Sequence, residues 1–173
     1  SEFKQTTGRD IMLITCITDI TSHNEWLYPL TDIYLAPAPK IKESLMKKGV
    51  PAVNIIVSGI PVRSQFKKKL PNHTETQKNL LIMGGGFGLL PKLKAFYEEL
   101  SGLKGIKTTI ITGKNKALYR RLHGRFPNIS VLSYVDDVHR YMHDADLIIS
   151  KPGGITLYEA IFAELPLVTF SPF

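Results

Sequence analysis

A glycine turn provides the first candidate binding site in the chain. It follows an apolar run at 80–83 and consists of Gly84, Gly85, Gly86, Phe87 and Gly88. A helical pattern opens at Pro91, so the sequence predicts a strand, a turn and a helix in succession. Glycine lets the backbone approach a ligand closely, and the first turn of a helix presents unpaired N–H groups that bind phosphate. A tight turn also needs glycines, so this motif alone leaves both interpretations open.

A second glycine motif occupies residues 151–159, with the sequence KPGGITLYE. It also follows a predicted strand and opens a predicted helix. Two such turns at one sheet edge can clamp a diphosphate, with Gly153 and Gly154 in the turn and a hydroxyl from Thr156. Glu159 can accept hydrogen bonds from the vicinal diol of a ribose. The alternative is a capping box, in which Thr156 and Glu159 satisfy N–H groups of their own helix.

Two further polar features have structural explanations. The turn at 112–115 follows another predicted strand, and Asn115 is expected to act as a helix N-cap and no more. His139 and His143 are four residues apart on a predicted helix, a spacing that can bind zinc. No third ligand stands nearby in the sequence, so we expect surface histidines rather than a metal site.

The elements that position these motifs alternate regularly. In the later part of the chain strands are predicted at 79–83, 107–112, 129–134, 146–150 and 166–170, and helices at 91–101, 115–124, 136–144 and 154–164. This alternation predicts the α/β class, with right-handed βαβ units and Rossmann-like parallel sheets. Earlier in the chain, strands are predicted at 11–18, 33–36 and 54–57, and a helix at 41–48. The run at 11–18 is continuously apolar, which is typical of a strand buried on both faces.

A polar, lysine-rich stretch without apolar periodicity divides the chain. We predict three parts: residues 1–62 as the C-terminal portion of one Rossmann-like domain, 63–78 as a crossing, and 79–173 as a second Rossmann-like domain. Each domain lacks flanking elements at its outer end. We therefore expect the chain to be a piece of a longer protein.

Composition narrows the class of partner. The chain has 173 residues, 43% of them apolar, which suffices for an ordinary core. No apolar run approaches the roughly 18 residues of a membrane span, and no signal peptide is evident. The single cysteine, Cys16, excludes an internal disulfide and is expected to be a buried small hydrophobe.

The net charge of +7 favours anionic partners, namely sugar nucleotides, acidic lipid surfaces or nucleic acid. Solvated lysine clusters are the alternative; the clusters are Lys40, Lys42, Lys47 and Lys48, and Lys67, Lys68 and Lys69.

In combination the motifs resemble the donor-binding half of GT-B glycosyltransferases. The resemblance rests on YVDD at 134–137, ADLIISKPGG at 145–154, and Thr156 with Glu159. The polar segment at 18–26, GIPVR at 59–63 and the glycine turn fall in the same order and spacing. The chain is most similar to the group of monogalactosyldiacylglycerol synthases and processive diacylglycerol glucosyltransferases. That group is related to the peptidoglycan-precursor N-acetylglucosaminyltransferase.

The resemblance implies a partial GT-B fold and a set of site residues. Residues 1–62 would belong to the acceptor-side domain and residues 79–173 to the domain that binds the UDP-sugar. Tyr134 and Val135 would line the uracil pocket, and Arg63 would face the diphosphate. His23 would lie near the acceptor and is the candidate catalytic residue. The implied donor-binding residues are Arg63, Gly84, Gly85, Gly86, Phe87, Gly88, Tyr134, Val135, Gly153, Gly154, Thr156 and Glu159.

The resemblance also implies an activity. The intact protein would be an inverting, metal-independent hexosyltransferase that moves a sugar from UDP-hexose to a lipid such as diacylglycerol, with no cofactor. It would be cytoplasmic and peripheral to an anionic membrane surface, and would not bind nucleic acid. The family's N-terminal glycine-rich loop with its histidine and its Pro-Gly-Gln-Glu-type loop are absent, so this chain is expected to be inactive alone.

Two other classes of function remain open. One is a different enzyme on the same fold, either a transferase for an undecaprenyl-linked cell-wall precursor or a sugar-nucleotide epimerase. The other is a non-catalytic module that binds nucleotides or nucleic acid. The lysine clusters lack the interleaved aromatic residues on which single-stranded nucleic acid stacks, which weakens the nucleic-acid alternative.

Overall fold

A computed structural model describes residues 6, 8, 11–67 and 77–170 of the chain. The chain splits into two compact units, Ser1–Pro61 and Val62–Phe173, and each unit contains its own parallel sheet. Lys68 and Lys69 of the predicted lysine cluster lie outside the described residues, as does most of the predicted crossing.

The first unit is a three-stranded parallel sheet in the order β1-β2-β3. Its strands are β1 (Ile14–Cys16), β2 (Ile33–Ala36) and β3 (Ile55–Val57), and helix α1 (Pro39–Lys47) connects β2 to β3. Short 3-10 helices span Asn24–Trp26 and Ala52–Asn54. Pro39 suits the first position of α1 because its fixed φ is already helical and its missing N–H has no partner to lose. Ile41 and Leu45, one turn apart on α1, pack against the sheet.

The strand predicted at 11–18 is shorter in the structure. The strand is only three residues long, and the side chains of Ile11, Met12 and Ile14 are 42%, 63% and 50% exposed. Among the described residues β1 pairs with β2 alone, and no described strand lies on its other side. Cys16 is accordingly half-buried rather than fully buried.

The second unit is a five-stranded parallel sheet in the order β6-β5-β4-β7-β8. Its strands are β4 (Lys78–Met83), β5 (Ile106–Ile111), β6 (Ile129–Leu132), β7 (Leu147–Ser150) and β8 (Leu167–Thr169). Its helices are α2 (Lys94–Gly102), α3 (Lys116–Leu122), α4 (Val138–Asp144) and α5 (Gly154–Phe162). The predicted alternation of strands and helices, and with it the Rossmann-like α/β class, is confirmed.

Helices cover both faces of this sheet. Alternate residues of β4 point to opposite faces, with Leu80 and Ile82 packed beneath α2 and α3, and Leu81 and Met83 beneath α4 and α5. From β4 the chain first adds β5 and β6 on one side, and then returns to add β7 and β8 on the other. The direction of winding therefore reverses between β4 and β7.

Two local predictions need correction. The helix expected from Pro91 begins at Lys94, because Leu93 is in an extended conformation and the carbonyl of Pro91 accepts a hydrogen bond from the Tyr97 hydroxyl at 2.6 Å. The polar stretch after residue 63 contains a 3-10 helix, Ser64–Phe66, and its Phe66 side chain is fully buried. A single apolar residue in a polar segment creates no periodicity, so the sequence pattern did not reveal this anchor.

Candidate functional site

The two glycine motifs meet at the reversal point of the second sheet. β4 and β7 are hydrogen-bonded neighbours, with Met83 opposite Ser150, so the loops that follow them emerge side by side. Helices leaving these two strands cover opposite faces. In open α/β sheets this arrangement leaves a crevice outside the carboxyl ends of the strands, where ligands bind.

The first glycine motif is a compact turn rather than the start of a helix. The N–H of Leu89 donates to the carbonyl of Gly84 and that of Gly88 to Gly85, both at 2.9 Å. Gly85 and Gly88 have φ values of +67° and +61°, a region that disfavours other residues. A Cβ on Gly84 would lie 2.4 Å from the Leu89 nitrogen. Part of the glycine content is thus required by the turn itself, as the alternative interpretation proposed.

The turn also packs against the loop that follows β5. A Cβ on Gly88 would lie 1.8 Å from the backbone oxygen of Thr112, and the Lys114 N–H donates to the Gly86 carbonyl at 2.9 Å. Asn115 caps α3 as predicted, because its side chain accepts from the Leu118 N–H at 3.0 Å. Its amide group also donates to the Gly88 carbonyl at 3.1 Å, a contact that the prediction of a cap alone missed. The loops after β4 and β5 therefore form one rigid rim.

Gly86 differs from the other glycines of this turn. A Cβ there would meet no heavy atom within 4 Å, so its backbone borders open space. The neighbouring Phe87 side chain is 75% exposed. The Cα side of Gly86 and the Phe87 side chain are therefore accessible to a ligand, whereas the Gly86 carbonyl is bound to Lys114.

Lys151 joins the two motifs. A Cβ on Gly85 would lie 3.1 Å from Cε of Lys151 and 3.9 Å from its Nζ, so the lysine side chain extends from the loop after β7 across the glycine turn. Sequence reasoning included this lysine in the motif without giving it a role. Its position at the end of a central strand was the available signal. The ammonium group places a positive charge beside backbone that faces open space.

The second glycine motif does open a helix. Gly153 is the N-cap of α5, is in an extended conformation and provides no side-chain cap. The capping-box alternative is wrong, because Thr156 is the third residue of the helix and not its cap. The N–H groups of the first turn of α5 thus face the same crevice edge as Lys151, and carry the partial positive charge of a helix N-terminus.

Glu159 and Arg63 form a second charged group in this unit. Burial raises the pKa of the Glu159 carboxyl above its ordinary value, and the nearby Arg63 guanidinium opposes that rise. Arg63 lies 5.3 Å above the centroid of the Phe66 ring, and Phe66 is packed in the same apolar cluster as Ala160 of α5. The 3-10 helix Ser64–Phe66 therefore anchors Arg63 to the unit that contains Glu159.

The remaining predicted donor-binding residues are Tyr134, Val135 and Thr156. Tyr134 and Val135 follow β6, at the same sheet edge but two strands away from β4. Val135 packs against the Phe66 cluster, whereas the Tyr134 side chain is 53% exposed. Thr156 is half-buried in the first turn of α5.

His23, the candidate catalytic residue, lies in the first unit. It immediately precedes the 3-10 helix Asn24–Trp26 and lines a surface pocket with Ser22, Glu25 and Lys48. Trp26 packs against the core of that unit. Within the described ranges no three His, Cys, Asp or Glu side chains gather into a metal-binding group.

Comparison with known proteins identifies the family. The family model of the glycosyltransferase family 28 C-terminal domain matches residues 79–171, and that of monogalactosyldiacylglycerol (MGDG) synthase matches residues 3–62. The chain is 32% identical over 183 aligned residues to a processive diacylglycerol beta-glucosyltransferase of Bacillus subtilis (strain 168). The match covers 99% of this chain and 48% of that protein. The chain thus spans about half the length of this relative.

Solved structures show the same fold at low identity. MurG from Acinetobacter baumannii superimposes with a TM-score of 0.61 at 17% identity, over 94% of this chain and 46% of that one. Anabaena HepE, solved in complex with UDP and glucose, superimposes with a TM-score of 0.61 at 14% identity, over 96% of this chain and 54% of that one. The fold is therefore the Rossmann-like fold of GT-B enzymes. Since the family model covers more than half of its length, the chain belongs to the glycosyltransferase family 28 C-terminal domain family.

Proposed function

We propose that the second unit binds the UDP part of a sugar nucleotide, and that the intact protein transfers a hexose from it to a lipid acceptor such as diacylglycerol. The observation that carries this proposal is the meeting of the glycine turn, Lys151 and the start of α5 at the reversal point of the sheet. The name of the Bacillus subtilis relative supports the lipid acceptor.

The diphosphate would lie between the two glycine motifs. The backbone beside Gly86 is open, Lys151 supplies a cation, and the N-terminus of α5 supplies N–H donors from the opposite side. During sugar transfer, negative charge develops on the departing UDP. Donors already fixed around it would stabilise that charge without a metal ion.

The nucleoside would extend from the phosphates towards Glu159 and β6. An ionised Glu159 carboxylate can accept hydrogen bonds from both hydroxyls of a ribose. Arg63 favours the ionised form, because its positive charge opposes the rise in pKa caused by burial. Val135 and Tyr134 would provide the apolar wall against which a uracil packs.

The first unit would contribute the acceptor side. His23 is exposed beside Glu25 and is our candidate for contact with the acceptor. Two lysines of the predicted cluster form hydrogen bonds within the first unit. Lys42 donates to the Ile55 carbonyl at 3.0 Å, and Lys48 donates to the Ser22 carbonyl. The cluster nevertheless keeps its positive charge, which would favour peripheral contact with an anionic membrane. No described helix has the length and apolar character of a membrane-spanning segment.

Calorimetric titration of the chain with UDP, UDP-glucose, UDP-galactose and ADP tests the proposed nucleotide site. We expect one UDP to bind per chain, and the UDP-sugars to compete for the same site. Equal binding of ADP would contradict a uracil pocket, and absence of UDP binding would contradict the nucleotide site. If single-stranded RNA displaced UDP with a steep salt dependence, the nucleic-acid alternative would be favoured instead.

Glu159→Gln is expected to weaken UDP binding and to stabilise the fold at neutral pH. A hydrogen bond to a charged group contributes about 1.5–3 kcal/mol, so the loss in affinity should be roughly 10- to 100-fold. The raised pKa means that the stability contributed by protonated Glu159 is lost as the pH rises through its folded-state value. Glutamine avoids burying that charge.

The two effects are measured separately. Calorimetry gives the UDP affinity, and urea unfolding at neutral pH and below the ordinary carboxyl pKa of about 4.3 gives the stability difference, which should shrink at the lower pH. Glu98→Gln is the matched control, since Glu98 lies on α2 in an exposed i,i+4 pair with Lys94. Unchanged UDP affinity in Glu159→Gln would remove Glu159 from the ribose-binding role.

A further inference from the structure

The 3-10 helix Ser64–Phe66, which follows Arg63, contacts both α4 and α5. Phe66 at the end of the 3-10 helix is fully buried, and the Arg63 guanidinium stacks over its ring. Gln65, the second residue of this helix, places its Nε2 atom 3.2 Å from Nδ1 of His139. The His139 ring also meets the Phe66 ring edge-on, with centroids 6.0 Å apart and an interplanar angle of 73°. One histidine thus contacts Gln65 and Phe66, two residues of the short helix that follows Arg63.

The hydrogen bond defines the state of this histidine. An amide Nε2 can only donate, so Nδ1 of His139 accepts and carries no proton in the amide orientation of the structure. Protonation of Nδ1 would remove this acceptor and require the Gln65 amide to turn over. The turned amide would present Oε1 to the protonated Nδ1, so the direction of this hydrogen bond depends on the charge of the imidazole.

The charges around His139 favour the neutral form. Desolvation, His143 and Arg140 lower its pKa below the ordinary value, in that order of importance, and Arg63 on the packed segment lowers it further. Asp137 opposes them but already pairs with Arg140 at 3.2 Å. His143 stands edge-on to His139 with centroids 5.9 Å apart. A proton on His139 would therefore add a cation near Arg63.

We propose that His139 is a positioning residue: through Gln65 and Phe66 it fixes the segment that carries Arg63, and so the position of the Arg63 charge that acts on Glu159. The positioning is a property of the chain without ligand. Its consequence, that nucleotide affinity depends on the charge of His139, rests on the proposed UDP site. Acid would weaken that site, because a protonated His139 repels Arg63.

The positioning is tested without any nucleotide, by following the Glu159 carboxyl in a ¹³C NMR pH titration. Arg63→Ala should raise the Glu159 pKa, since the opposing charge is gone. His139→Ala should shift it in the same direction. In His139→Asn the side-chain oxygen can still accept from Gln65, and the pKa should return towards the wild-type value. His123 serves as the control, because it is exposed at the C-terminal end of α3 and stacks on Tyr119; His123→Ala should leave the Glu159 pKa unchanged.

A purely structural role for His139 would lower thermal stability in His139→Ala without moving the Glu159 pKa, and that result would overturn the proposal. Should His139→Ala fail to fold, Gln65→Ala and His139→Asn decide the question by the same titration. Gln65→Ala should raise the Glu159 pKa, and an unchanged value there would equally contradict the proposal.

The consequence for ligand binding is tested by UDP titration of the same variants. We expect His139→Ala to bind UDP about 3- to 10-fold more weakly, as for the loss of one ordinary hydrogen bond, and His139→Asn to lose less. Between neutral and mildly acidic pH the wild type should lose affinity more steeply than His139→Asn; comparing the two proteins cancels the titration of UDP itself. If the wild type does not bind UDP, the proposed function fails while the Glu159 titration still decides the positioning. If UDP binds with the same affinity to the wild type and the His139 variants, the proposed dependence of nucleotide affinity on His139 is wrong.

Discussion

Gly88→Ala should destabilise the second unit by about 2–5 kcal/mol, enough to threaten folding. Gly88 has a φ of +61°, where a residue with a Cβ costs roughly 1–2 kcal/mol. The added Cβ would also lie 1.8 Å from the Thr112 backbone oxygen, which cannot move away as a flexible side chain could. Relief requires separating the two loops that form the rim of the candidate site, and overpacking of this kind costs about 1–3 kcal/mol.

The matched control lies two residues away in the same turn. Gly86→Ala places its Cβ in open space, so its unfolding free energy should stay within about 0.5 kcal/mol of the wild type. Urea unfolding followed by far-UV circular dichroism measures both variants. The only tryptophan in the sequence, Trp26, belongs to the first unit, and its fluorescence gives an independent record there. Equal stability of Gly88→Ala and Gly86→Ala would contradict the described packing.

Gly86 and Gly88 show which features of the turn can be predicted from the sequence and which cannot. The order strand, glycine turn and helix could be predicted, because it depends on local periodicity and on backbone freedom at glycine. The sequence could not predict which glycine is required by packing and which faces open space. That difference is set by Thr112 and Asn115, which come from the loop after the next strand.

The candidate site was predicted in outline for a related reason. Residue types identified both glycine motifs and Glu159 as suited to a nucleotide. Their proximity depends on the strand order, which places β4 beside β7 although two strands separate them in the chain. The sequence did not predict a role for Phe66 or Lys151. Phe66 acts through a single buried ring, and Lys151 acts through a contact with the loop that follows the neighbouring strand. Such roles become visible only with tertiary structure.

Lys151→Met is expected to lower UDP affinity by roughly 10- to 100-fold with little change in stability. Methionine retains an apolar side chain of similar length over Gly85 but removes the ammonium group. A charge-assisted hydrogen bond to phosphate contributes about 1.5–3 kcal/mol, which sets the expected range. Loss of a half-buried cation with no described acid partner should change the unfolding free energy by only about 0.5 kcal/mol.

Lys107→Met is the matched control for this variant. Lys107 is an exposed lysine at the amino end of β5, opposite Asn79 of β4, and so lies at the sheet edge away from the glycine motifs. Calorimetric titration should show wild-type UDP affinity for it, although it loses the same formal charge. If both variants weakened UDP binding equally, the effect would come from the overall positive charge, and Lys151 would have no specific place at the diphosphate. A loss confined to Lys151→Met requires a contact at the reversal point, since the two proteins differ only in where the cation was removed.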